Sequence, residues 1–93
     1  MKEKKKILKL ICLKGTVFIL EYLDKNEFAH FSDLNDNISD PSLASRLKEL
    51  LALGLIKHYF ERKTIRTEWY ELTGKGKRVV QLLQKLQEEC EEI

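Results

Sequence analysis

Cysteine is scarce in this 93-residue chain, and the two present, Cys12 and Cys90, form no Cys-x-x-Cys pair and have no histidine at ligand spacing. That excludes the common structural zinc sites, and we expect no bound metal. Long apolar runs are also missing: Val17 to Leu20 falls far short of the ~18 residues that span a bilayer. Ile7 to Leu13 follows a lysine-rich start, but Lys9 interrupts it and no small-residue cleavage site follows, so a signal peptide is not expected. The expectation is a cytoplasmic protein with no membrane partner. The chain has no nucleophile elbow, no Gly-rich phosphate loop and no HExxH, and it is too short for a two-domain enzyme. We therefore expect neither enzymatic activity nor a cofactor. The net charge is only +2, from 17 Lys+Arg against 15 Asp+Glu, which in bulk predicts neither strong nucleic-acid binding nor a disordered polyelectrolyte. The 43% of apolar residues suffices for one thin core, and residues 1–93 read as a single domain.

What is present is an uneven distribution of charge. Residues 1–14 carry six Lys and one Glu, and residues 15–45 carry one Lys and six acids. Residues 46–78 carry nine bases against four acids, and residues 79–93 carry Lys85 against four Glu. A strongly basic patch can thus exist on a nearly neutral chain, and its location becomes the question.

Apolar residues recur at helical spacing from Ile7 to Leu23, interrupted by Gly15. This predicts either two helices, about Lys4 to Leu13 and Thr16 to Asp24 with Thr16 as a cap, or one long helix weakened at the glycine. Asp24 to Glu27 reads as a turn, Phe28 to His30 as a short extended piece, and Phe31 to Leu34 as a brief helix favoured at its start by Ser32 and Asp33. Asp40-Pro41 marks a helix start, with Asp40 capping and Pro41 in the first turn. Leu43, Leu47, Leu50 and Leu51 then share one face until Gly54. Beyond Gly54 the period changes to two: Ile56, His58 and Phe60, then Tyr70 and Leu72, predict a β-hairpin whose tip spans Arg62 to Thr67. Thr73 can cap a last helix with the stripe Val79, Leu82, Leu83 and Leu86 and an acidic end. Among the remaining polar residues, His30 and His58 fit a helix start and a strand, and Asp33, Asp36 and Asp40 fit helix-start electrostatics better than a metal cluster.

This order of elements is that of a winged helix-turn-helix domain: α+β, mainly helical, with additional terminal helices for dimerisation. The recognition helix is placed at about 41–53, the wing at about 55–72 and the C-terminal helix at about 74–91. Ser45 to Leu50 followed by Leu53-Gly54-Leu55-Ile56 resembles the "RLxxLxxxGLI" of MarR/HxlR-type transcriptional regulators, and Tyr70 to Gly76 is similar to their "YxLTxKG". The resemblance covers roughly Thr16 to Val80, and small versions of this kind are common in archaea and their viruses. It implies a transcription regulator that binds double-stranded DNA and dimerises through its terminal segments. The HxlR branch often carries a redox-sensing cysteine upstream of the first core helix, whereas Cys12 lies only a few residues before Thr16. The extra helices of longer MarR proteins are missing, so no small-molecule effector is expected.

In such a domain the helix after the tight turn enters the major groove. Here it offers Ser42, Ser45, Arg46 and Lys48, of which Arg46 could grip guanine in a bidentate way. Arg62, Lys63 and Arg66 at the hairpin tip would follow the backbone or minor groove. The apolar residues Ile7, Leu8 and Ile11, with Leu82, Leu83 and Leu86, exceed what one small domain needs to cover itself and form the expected homodimer interface, which implies an inverted-repeat target. The basic start, Lys2 to Lys6, could reinforce DNA contact or pair with Glu88 to Glu92. Cys12 and Cys90 lie in those same terminal helices, open either to a disulfide within or between subunits or to two reduced thiols. The alternative function is a winged-helix module that binds protein without reading DNA.

Overall fold

The computed structural model describes residues 2–36, 38–63 and 66–91, with side chains from residue 6 onward except at 66. Its elements run α1 (Lys2–Cys12), α2 (Thr16–Asn26), α3 (Phe31–Leu34), α4 (Asp40–Ala52), β1 (Ile56–Arg62), β2 (Arg66–Leu72) and α5 (Gly74–Glu91). The fold is thus the expected winged helix-turn-helix.

Gly15 resolves the choice at the N-terminus in favour of two helices: it adopts φ 92°, a left-handed conformation that ends one helical path and begins another. It also takes the capping position expected of Thr16. The Gly15 carbonyl accepts the Ile19 N–H at 3.0 Å, so Thr16 already lies inside α2, fully buried, and its hydroxyl has no partner among the described residues. At the other end α2 continues through the expected turn to Asn26, whose side chain donates to the Tyr22 carbonyl at 3.0 Å. A second correction falls at α4, which begins one residue earlier than expected. Ser39 is the cap, its hydroxyl accepting the Ser42 N–H at 3.4 Å, while Asp40 instead accepts from Asn35 Nδ2 at 3.3 Å. Pro41 keeps its place in the first turn, where a missing N–H costs no helical bond.

The core joins Leu10 of α1, Ile19, Leu20 and Leu23 of α2, Leu34 of α3, Leu43, Leu47 and Leu50 of α4, and Val80 and Leu83 of α5. Burying a side chain of this size contributes about 1.5–3 kcal/mol, so these leucines fix the helices relative to one another. Strands β1 and β2 pair antiparallel from Ile56 opposite Leu72 to Arg62 opposite Arg66. A single bridge between Ala29 and Tyr70 ties the segment before α3 to the hairpin, with mutual N–H to carbonyl bonds of 3.0 and 2.8 Å. Behind the hairpin, Gly76 lets α5 approach so closely that a Cβ there would overlap the Leu55 carbonyl oxygen and press on Leu72.

Candidate nucleic-acid interface

The amphipathic spacing of α4 turns Leu43, Leu47 and Leu50 inward. Residues at i, i+4, i+7 and i+11 share the opposite line, which here is Pro41, Ser45, Lys48 and Ala52, all exposed, with exposed Ala44 beside them. Ser45 and Lys48 of the expected DNA-contacting set therefore face outward. Ser42 is half-buried and serves the start of the helix, its Oγ accepting from Ser39 Oγ at 3.0 Å. Arg46 lies on the flank of α4. Its Nε donates to the Lys14 carbonyl at 3.3 Å, stitching α4 to the turn between α1 and α2, and its other N–H groups have no protein partner among the described residues. The Nε bond to Lys14 leaves both Nη amines available, so a two-pronged contact from Arg46 would be made from the flank of α4 rather than from its outward line.

The C-terminal end of α4 is held as firmly as its start. Lys75 Nζ donates to the Leu53 carbonyl at 3.0 Å, and Thr73 Oγ1 donates to the Gly54 carbonyl at 2.7 Å while accepting the Gly76 N–H at 3.0 Å. One threonine thus caps α5, as expected, and pins the turn that ends α4. The contact of Lys75 is one that sequence reasoning misses. Its approach to a carbonyl some twenty residues away leaves no local signal, though a lysine can satisfy a helix C-terminus in this way.

On the hairpin, Arg62 and Lys63 are exposed, and Lys63 lies 3.9 Å from Glu61, an exposed pair of little energetic weight. Arg66 opens β2 opposite Arg62, and its side chain, like residues 64 and 65 of the tip, falls outside the described set. Cross-strand rings stiffen the shaft. Tyr59 stacks on Trp69 with centroids 5.7 Å apart, and Trp69 Nε1 donates to Glu71 at 2.8 Å. On the other face His58 stacks on Tyr70 at 4.8 Å and meets Glu68 at 2.8 Å. Burial, and then the Glu68 carboxylate, push the Tyr70 hydroxyl above the ordinary phenol range.

The terminal helices divide the residues expected at a dimer interface. Leu83 closes the chain's own core and Ile7 and Ile11 pack partly against it, whereas Leu8, Leu82 and Leu86 are 64%, 67% and 60% exposed. Cys12 and Cys90 are free and exposed. The basic start of residues 2–5 and Glu92 fall outside the described side chains. An open groove of about 1060 Å³, lined by Leu8, Cys12, Leu13, Ala52, Leu53 and Lys75, separates α1 from the end of α4. Among the described residues no group of His, Cys, Asp or Glu could hold a metal ion, and no helix is long and apolar enough to cross a membrane.

This arrangement has close parallels. Residues 10–93 match the HxlR-like helix-turn-helix family, and the chain belongs to it. A protein of Thermoplasma volcanium described as a possible HxlR family transcriptional factor is 30% identical, with 90% of this chain and 77% of that one covered and a TM-score of 0.71. The transcriptional regulator ytfH of Salmonella typhimurium is 25% identical over 95% of this chain and 80% of that one, TM-score 0.79. The reduced transcriptional regulator YodB of B. subtilis, 23% identical over 94% and 87%, TM-score 0.79, shares the fold. No curated protein matches. The chain is thus a transcriptional regulator of HxlR type, a class that acts by binding DNA.

Proposed function

We propose that the protein acts as a homodimer on an inverted-repeat site in double-stranded DNA, with α4 in the major groove and the hairpin on the backbone or in the minor groove. The observation that carries this reading is the uncovered outer line of α4, from Pro41 through Ser45 and Lys48, on a helix whose other face is locked by three leucines. Ser42, Ser45, Arg46 and Lys48 would supply the contacts from α4, Arg46 from its flank toward phosphate. Arg62, Lys63 and Arg66 would follow the backbone beside it. For the dimer, the support is the exposed apolar set Leu8, Leu82 and Leu86, together with the last turns of α5, exposed at every residue from 84 to 91. A twofold axis through these helices presents two copies of α4 to half-sites about one helical turn, roughly 34 Å, apart.

Titration with duplex DNA at several salt concentrations tests the DNA reading. Affinity should fall steeply with salt, with a log–log slope of about −0.9 for each phosphate neutralised. Absence of binding even at low salt would overturn it in favour of a protein-binding winged helix. Sedimentation of the wild-type chain and of the double variant Leu82→Lys, Leu86→Lys tests the dimer. The variant should run as a monomer and lose most of its DNA affinity, while two species of equal mass would sink the proposed interface.

A further inference from the structure

The DNA-reading proposal leaves open which chemical feature of the bases α4 recognises. The first two turns of the helix answer by the side chains they expose. Pro41, Ala44 and Ser45 are exposed and short, and Lys48 follows one turn later. The one side chain there built for a forked contact with guanine is Arg46, and it is half-buried on the flank with Nε committed to the Lys14 carbonyl at 3.3 Å. Short side chains let the helix backbone come close to the floor of the groove, but they limit what can be read. A serine hydroxyl both donates and accepts, so Ser45 discriminates weakly among base edges. The flexible ammonium of Lys48 is satisfied by guanine or by phosphate. Glu49, exposed beside Lys48, can only accept and so suits a base amine; the outward apolar groups of the first two turns are the Ala44 methyl and the Pro41 ring, and the one apolar group on the major-groove edge of a base pair is the thymine C5-methyl.

We infer that Ala44, with Pro41 beside it, reads thymine methyl groups in the major groove, so that each half-site is specified by A·T pairs recognised through their methyls rather than by an arginine–guanine pair. Arg46 then reaches phosphate from the flank while its Nε holds α4 to the Lys14 carbonyl. An exposed alanine is ordinary on a protein surface. What gives this one meaning is its exposed place on a helix with both ends clamped, beside a proline and on the flank opposite Arg46, the one guanidinium of α4. The inference rests on the proposed function and deepens it.

The test begins with selection of binding duplexes from a random pool. Each thymine of the selected site is then replaced singly by deoxyuridine, which removes the methyl and leaves the hydrogen-bonding edge intact. Affinity should fall about three- to fivefold at one or two positions in each half-site, the worth of one buried methyl. In the Ala44→Gly variant the difference between thymine and uracil at one of these positions should vanish, as a direct contact requires. Ala44→Ser, which preserves helix propensity better, provides the same comparison should the glycine variant fold poorly.

If every uracil substitution stays within twofold of thymine, or the penalty is unchanged in both Ala44 variants, the inference falls while DNA reading stands. A selected site whose essential guanine loses its advantage in Arg46→Ala would overturn it equally. If no duplex is selected even at low salt, DNA reading itself fails and takes the inference with it.

Discussion

Helix α4 and the β-hairpin beside it are held by opposite means. The helix is clamped at every point: Ser39 at its start, Leu43, Leu47 and Leu50 along its inner face, Arg46 to Lys14 on its flank, and Lys75 and Thr73 at its end. In the hairpin, β1 buries only its first residue, Ile56, and is exposed from Lys57 to Arg62. Its shaft relies on the strand pairing, on the stacked pairs Tyr59–Trp69 and His58–Tyr70 and, on the β2 side alone, on the Ala29 bridge and the half-buried Tyr70 and Leu72. The difference matters because reading a base edge needs a side chain placed within a few tenths of an ångström, which packed elements provide, whereas following a phosphate backbone tolerates adjustment. A rigid reader beside a looser cationic arm is a division of labour that the packing already supplies.

The largest break in this comparison should come at the point both regions share. Gly76→Ala would force a methyl into the Leu55 carbonyl at the base of the hairpin and loosen the clamp on the end of α4. A loss of about 3 kcal/mol is expected, read as a lower urea midpoint at unchanged slope. An unchanged midpoint would show that α5 does not need this approach. A smaller effect should separate the two regions. Ser39→Ala removes the cap of α4 and should cost about 0.5–1 kcal/mol, the bond being long. Amide exchange should quicken in the first turn of α4 and stay constant in the hairpin, and equal acceleration in both would contradict their independence. The smallest effect concerns the hairpin alone. A double-mutant cycle of Tyr59→Ala and Trp69→Ala should give a coupling of about 0.3–0.5 kcal/mol, typical of a cross-strand pair. A coupling indistinguishable from zero would mean that the stacked rings do not stiffen the shaft.

Much of this was legible in advance because it is written in short-range patterns. The leucine spacing of α4, the change of period after Gly54 and the threonine before Gly74 each act over a few residues, and the structure reproduces the resulting elements to within a residue or two. The caps at Gly15 and Ser39 were misassigned because two adjacent residues could each serve, and the decision rests on backbone angles that sequence does not display. The site was legible in kind but not in orientation. Ser45 and Lys48 point outward as the helical spacing requires, yet nothing local tells that Arg46 turns toward a carbonyl 32 positions away, or that Lys75 reaches back to Leu53.

By itself, then, the sequence determined the class: two family motifs at fixed separation, a single thin core and a basic block concealed within a net charge of +2. The tertiary structure decided which residues of that block are free. Helical periodicity fixes which face of α4 is apolar, because burial of leucine contributes far more than any surface contact. The direction taken by a long cationic side chain on the rim depends instead on small differences between competing carbonyls and solvent, and those carbonyls are brought within reach only when the chain has folded.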